Sequence, residues 1–230
     1  MSQIMLPFLS ALKEHNTRDW MAENKPRHRE AAAQFEGLVD ELLLRLSAIE
    51  PGLAGIQAKS LVGRLNRDTR FSHDKSPYRP AFHAHLSTGG RNPVPVGFFL
   101  QIAPQGSFLG GGLFAAMFPD ATARMRDYLL EHGAEFEEIL HNPDFSAHFS
   151  LQGEALKNVP RGYPKDSPYA DYLRYKSWYL EYPLPDEAFA DLSAFCDKAV
   201  ALFTLMKPFN DFLNRALDGF QMPERPGKAK

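Results

Sequence analysis

AFHAHLS at 81–87 and VGFFLQIA at 96–103 carry a period of two. Phe82, Ala84 and Leu86 fall on one face of the first segment, His83 and His85 on the other. Val96, Phe98, Leu100 and Ile102 align in the second, with Phe99 and Gln101 opposite. Such alternation belongs to strands with one buried face. TGGRNP at 88–93 and PQG at 104–106 supply turns, and PQG is short enough to make SFLGGG at 107–112 the return strand of an antiparallel hairpin. SLVGRLN at 60–66 and KSWYLEY at 176–182 read as two further strands, about five in all. In 60–66, Leu61, Gly63 and Leu65 share a face, leaving Val62, Arg64 and Asn66 opposite.

Outside this middle stretch the period lengthens. Leu6, Phe8, Leu9 and Leu12 form one apolar face. Ala31, Phe35, Leu38, Val39, Leu42, Leu43 and Leu46 recur at three- and four-residue steps, predicting a long amphipathic helix from about Pro26 to Ile49 that Pro51–Gly52 stops. Further helices are predicted over 120–132, 134–140, 185–205 and 208–220. Strands grouped in the middle with helices before and after predict an α+β fold. Its central, mainly antiparallel sheet would be covered on one face by the N- and C-terminal helices. The other face would carry Arg64, Asn66, His83, His85, Phe99 and Gln101, a mixed surface suited to the floor of a ligand cleft or to plain solvation. With no internal repeat or long linker, residues 1–222 read as a single domain and 223–230 as a polar tail.

Composition removes several function classes. A net charge of -2 argues against a dedicated nucleic-acid binder, so any basic patch must be local. One cysteine excludes an intramolecular disulfide and a multi-cysteine zinc site, and Cys196 falls in an apolar helical pattern as buried packing. No apolar run approaches the roughly 20 residues of a membrane span, and the N-terminus reads as an amphipathic helix rather than a signal peptide. The expected location is cytoplasmic, with no membrane partner. Gly110-Gly111-Gly112 is neither a phosphate-binding loop nor a dinucleotide fingerprint. It allows close approach of another backbone, or room for a ligand. No hydrolase or metalloprotease motif is present, and no cofactor is implied.

The densest chemistry is LNRDTRFSHDKSPYR at 65–79. Arg67, Arg70, Lys75 and Arg79 stand among Asp68 and Asp74, punctuated by Phe71, Pro77 and Tyr78. Guanidinium forks match carboxylate or phosphate. Arg67 and Arg70 therefore suit direct anion contact, Lys75 and Arg79 secondary charge, and Asp68 or Asp74 orientation or proton transfer in a catalytic role. Arg64, Tyr78, His83 and His85 complete the ligand-binding set. The alternative is an internal network, Arg67–Asp68, Arg70–Asp74 and Lys75, locking the loop against the helices. His83-x-His85 has metal-like spacing, but a third ligand would have to come from His73, Asp74 or Glu181, and no metal site is assigned. Asn16-Thr17-Arg18-Asp19-Trp20 starts a short helix capped by Thr17 or Asn16. A functional version places Asn16 and Arg18 beside the 67–79 loop, completing an anion pocket.

RDTRFSHDKSPYR at 67–79, FLSALKEHNTRDWMAENKP at 8–26, SFLGGGLF at 107–114 and LKNVPRGY at 156–163 together resemble the family called domain of unknown function 2461. The resemblance implies a cytosolic, single-domain α+β protein and no reaction. His73 and Arg79 stand where that pattern more often has Lys, which disfavours a role needing a deprotonable amine at 79. The resulting expectation is an anion-binding cleft for a phosphate- or carboxylate-bearing ligand. The competing expectations are a non-enzymatic adaptor for nucleic acid or an acidic protein segment, and a structural salt-bridge clasp.

Overall fold

The structure is a computed structural model that describes residues 3–70, 72–115 and 118–223. Phe71 and the tail from 224 onward, both singled out above, lie outside the described residues. The described residues form one antiparallel four-stranded sheet, β1 (Phe82–Leu86), β2 (Phe98–Ile102), β3 (Ser107–Leu113) and β4 (Trp178–Leu184), in the order β1-β2-β3-β4. The chain divides into two compact units. The first is built from residues up to Arg91, Phe98–Gly110 and Glu181–Leu205, the second from Asn92–Gly97, Gly111–Leu180 and the residues from Met206 on.

In the first unit, α1 (Met5–Glu14), α2 (Arg18–Glu23) and α3 (Lys25–Leu46) precede the strands. The Thr17 hydroxyl accepts the Trp20 N–H at 3.2 Å and starts α2, with Asp19 in its first turn. Pro26 sits in the first turn of α3, where a missing N–H costs nothing. The α3 stripe Phe35, Leu38, Val39, Leu42 and Leu46 is buried. Full burial of each such side chain is worth about 1.5–3 kcal/mol, which fixes this face against the sheet. Phe35 stacks on Phe82 at 5.3 Å, and Phe203 of α8 (Leu192–Ala216) packs on Phe98 at 4.8 Å. Helices thus cover the face carrying Phe82, Ala84, Leu86, Phe98 and Leu100. β1 and β2 pair antiparallel with His83 opposite Gln101 and His85 opposite Phe99. These four side chains, half-buried, occupy the other face as alternation predicted.

The expected fifth strand at 60–66 does not form. Ala58–Leu61 is instead a helical turn, α4, followed by isolated bridges Val62–Ala84 and Asn66–Tyr78. Gly63 lets this segment lie close against β1. Its N–H donates to the His83 carbonyl at 2.8 Å, and the His83 ring lies so close over its Cα that a Cβ there would be 1.9 Å from Nε2.

In the second unit, α5 (Pro119–His141) kinks at His132, matching the break expected between 132 and 134, and α6 (Pro143–Ser146) and α7 (Ala170–Leu173) follow. Phe136, Phe145, Phe209 and Phe212 form its aromatic core. The triple glycine resolves in favour of close approach. Gly111 lies under the Asn210 amide, and Gly112, at φ +112°, would place a Cβ 2.4 Å from the Trp178 carbonyl oxygen. Pro208, expected to separate two helices, lies inside the single helix α8. Phe203 and Met206 before it and Phe209 and Phe212 after it are buried, and together they outweigh a proline penalty of about 3 kcal/mol.

Candidate functional site

The segment 62–67 runs antiparallel to 77–84 as a ribbon leading into β1. Arg79 N–H donates to the Leu65 carbonyl at 2.7 Å and Arg67 N–H to the Pro77 carbonyl at 2.9 Å. The motif loop is the tip of this ribbon. Two aspartates shape it by accepting backbone N–H groups two residues on, Arg70 to Asp68 at 3.2 Å and Ser76 to Asp74 at 2.9 Å.

The ion pairs are the reverse of the network expected from the sequence. Arg67 pairs with Asp74 and also donates to the Ser72 hydroxyl at 3.4 Å. Arg70 forks onto Asp68, with Nε to Oδ1 at 2.9 Å and Nη2 to Oδ2 at 2.6 Å. The Asp68–Arg70 turn brings guanidinium and carboxylate together two residues apart, which leaves Asp74 to Arg67. The guanidinium and backbone bonds from Arg70 lower the Asp68 pKa to about 2. Bonds from Ser76 and Arg67 hold Asp74 well below the usual carboxylate range. Both carboxylates are therefore firmly ionised and weak as proton acceptors. Lys75 Nζ donates to the Thr69 carbonyl at 3.0 Å, closing the loop on itself.

Asn16 ties this loop to the N-terminal helices. Its Nδ2 donates to the Tyr78 carbonyl at 2.9 Å, and its Oδ1 accepts the Tyr78 N–H at 3.1 Å. One side-chain amide thus imitates a strand partner for Tyr78. The result is a cleft of about 390 Å³ lined by Asn16, Thr17, Arg18, Asn66, Arg67, Thr69, Lys75, Pro77 and Tyr78. Arg18, Arg67 and Lys75 contribute positive charge, and among the described residues no Asp or Glu is in the lining.

This places the two motif blocks together but redistributes the roles. Arg67, Lys75 and Tyr78 line the cleft, whereas Arg70, Asp68 and Asp74 do not. Arg70 is 76% exposed and turned onto Asp68. Arg64 and Arg79 are exposed on the ribbon, and His83 and His85 lie on the sheet face; none lines the cleft, whose floor is the ribbon rather than the sheet. Burial, then the Arg79 guanidinium, pushes the His83 pKa below its ordinary value. Among the described residues no group of three His, Cys, Asp or Glu side chains is placed to hold a metal ion.

Sequence reasoning missed Thr17, taken only as a helix cap, and Thr69 and Pro77 as lining residues. The signal for the last two was position: they sit at the two ends of the loop, facing the Asn16 block that the ribbon brings near. The other recognisable block, LKNVPRGY, is structural in the second unit. The Tyr163 hydroxyl lies 2.9 Å from an Asp127 carboxylate oxygen, and the Tyr163 ring sits 6.0 Å from the Arg126 guanidinium. Arg126 in turn donates to the Leu173 and Tyr175 carbonyls at 2.8 Å each. Cys196 is 1% exposed, and burial raises its pKa to about 11, as expected of a packing residue. No helix among the described residues is long and apolar enough to cross a membrane.

A family model described as "Conserved hypothetical protein (DUF2461)" matches residues 4–212. No curated protein and no solved structure matches the chain.

Proposed function

The chain belongs to the DUF2461 family of conserved hypothetical proteins, and we propose that the cleft between Asn16–Arg18 and Asn66–Tyr78 binds a phosphate- or carboxylate-bearing ligand. One observation carries the reading: Arg18, Arg67 and Lys75 converge on a cleft whose lining includes no carboxylate. Asp74 and Ser72 orient the Arg67 fork, and Thr69 positions Lys75. Positive charge gathered in the lining of a concave site favours an anion. About 390 Å³ lies within the range of small-molecule pockets and leaves room for more than a bare phosphate.

The site favours binding over catalysis. Asp68 and Asp74, the carboxylates suited by sequence to proton transfer, are held ionised by their arginines and stand outside the lining. Their role is to position Arg70 and Arg67. The pairs themselves are exposed and contribute little to stability; of the two, the Asp74–Arg67 pair reaches the cleft, through Arg67.

The test is a thermal-shift panel of phosphate, pyrophosphate, sugar phosphates and dicarboxylates on wild type and Lys75→Gln. The reading expects one anion class to raise the melting point of wild type and to do so weakly or not at all in the variant. Equal shifts in both proteins, or none in either, would remove the cleft from consideration.

A further inference from the structure

The cleft between the Asn16 block and the motif loop carries two kinds of group, and each constrains its ligand. The cations come from three separate places: Arg18 at the start of α2, Arg67 on one side of the ribbon and Lys75 near the end of the motif loop. Among the described residues Asp74 pairs with Arg67, whereas no carboxylate pairs with Arg18 or Lys75. Two positive charges are therefore left uncompensated. Arg67 offers charge more than an open fork, since Nη1 already donates to Asp74 and Nη2 to the Ser72 hydroxyl at 3.4 Å. A planar carboxylate is best met by the two parallel bonds of one open fork. A phosphoryl group has three oxygens that take donors from separate residues, and a phosphomonoester carries a charge of about −1.5 to −2 at neutral pH. Dispersed cations with two charges to spare match the second anion better than the first.

The uncharged lining constrains the rest of the ligand. Thr17, Asn66, Thr69 and Tyr78 bring hydroxyl and amide groups to the cleft. The Thr17 oxygen accepts the Trp20 N–H at 3.2 Å, which leaves its own proton to donate. Among the described residues the Asn66 and Thr69 side chains have no hydrogen-bond partner, so both are available to a ligand as donor and acceptor. Pro77 alone among the lining residues lacks a polar side chain. An acyl chain would find almost nothing apolar to pack on, and a nucleobase would have one ring, that of Tyr78. A hydroxylated body can use the amide and the hydroxyls together.

We propose that the ligand is the phosphomonoester of a small sugar or polyol, with its phosphoryl group on Arg18, Arg67 and Lys75 and its hydroxyls on Asn66 and Thr69. This rests on the anion-cleft reading above and names the ligand class for that site.

The test is isothermal titration calorimetry on the full chain at low salt. Glycerol 3-phosphate, ribose 5-phosphate and glucose 6-phosphate are set against orthophosphate, succinate and AMP. Wild type is compared with Lys75→Gln and with an Asn66→Ala/Thr69→Val double variant, with melting curves confirming that each is folded. A neutral hydrogen bond is worth roughly 2- to 10-fold in affinity, so at least one of the three sugar or polyol phosphates is expected to bind wild type about tenfold tighter than orthophosphate. It is also expected to bind tighter than succinate and AMP. The double variant is expected to narrow the lead over orthophosphate, and Lys75→Gln to weaken every phosphate. Binding of orthophosphate or succinate with no gain for any of the three overturns the ligand class and leaves the anion cleft standing. Tightest binding of AMP, or a lead that the double variant leaves intact, overturns the class in the same way. Silence from every anion overturns both.

Discussion

Replacing Asn16 by Ala should damage both the fold and the cleft, and the structure sets the size of the effect. The Asn16 amide makes two hydrogen bonds to one residue, at 2.9 and 3.1 Å, and both are partly buried. Each is worth about 0.5–1.5 kcal/mol net, so their loss should cost about 2 kcal/mol. For a chain of this length 1 kcal/mol moves the melting point by about 2–4 °C, giving a drop of roughly 4–8 °C. The same bonds hold Thr17 and Arg18 against the motif loop, so phosphate binding should weaken even at temperatures far below the melt. Asn16→Asp sharpens the test. It retains the acceptor for the Tyr78 N–H but sets a carboxylate oxygen against the Tyr78 carbonyl and a negative charge in the cleft wall, so anion binding should suffer more than with Ala. Thermal melts and phosphate titrations on the three proteins suffice. An Asn16→Ala protein that melts with wild type and binds phosphate equally well would refute the clasp.

Arg67→Gln and Arg70→Gln should separate cleanly: the first should abolish the anion response, while the second should leave both response and melting point unchanged, since Arg70 lies outside the cleft and is solvent-exposed. Burial, aided by Arg79, lowers the His83 pKa below 6.5, and burial does the same for His28. The unfolded chain then takes up protons first, so stability should be full above about pH 6.5 and fall as pH drops towards the folded pKa values; a urea midpoint that rises between pH 7.5 and 5.5 would contradict this. Gly112→Ala should destabilise strongly, because its φ of +112° and the Trp178 carbonyl 2.4 Å from the new Cβ both oppose it; a soluble variant with a wild-type melting curve would disprove that close approach. Cys196 should react with a thiol reagent only on unfolding, given its burial and raised pKa.

The architecture was legible wherever one periodicity dominated. The alternation at 81–87 and 96–103 predicted which side chains of β1 and β2 face the helices, and the register bears this out. The 60–66 segment alternates as well, but its first residues belong to the helical turn Ala58–Leu61 and the rest meets its neighbours only through isolated bridges, pairing that local pattern does not contain. Pro208 misleads for a related reason: its local cost is readable, whereas the buried aromatics on either side that offset it are not. At the site, the charged motif and the Asn16 block could each be singled out, and the functional version of the Asn16 block placed it beside the loop. Their partners could not be assigned. The Asp68–Arg70 turn decides that Arg70 faces its own loop and that Asp74 is left for Arg67. That choice depends on backbone geometry over three residues, which residue identity alone leaves open.

The most direct measurement is a phosphate titration followed through the backbone amide resonances at low salt. Binding at the cleft should give saturable shifts concentrated on Arg18, Asn66, Thr69, Lys75 and Tyr78, lost in Arg67→Gln. Shifts that fail to saturate, or that gather away from these residues, would contradict it.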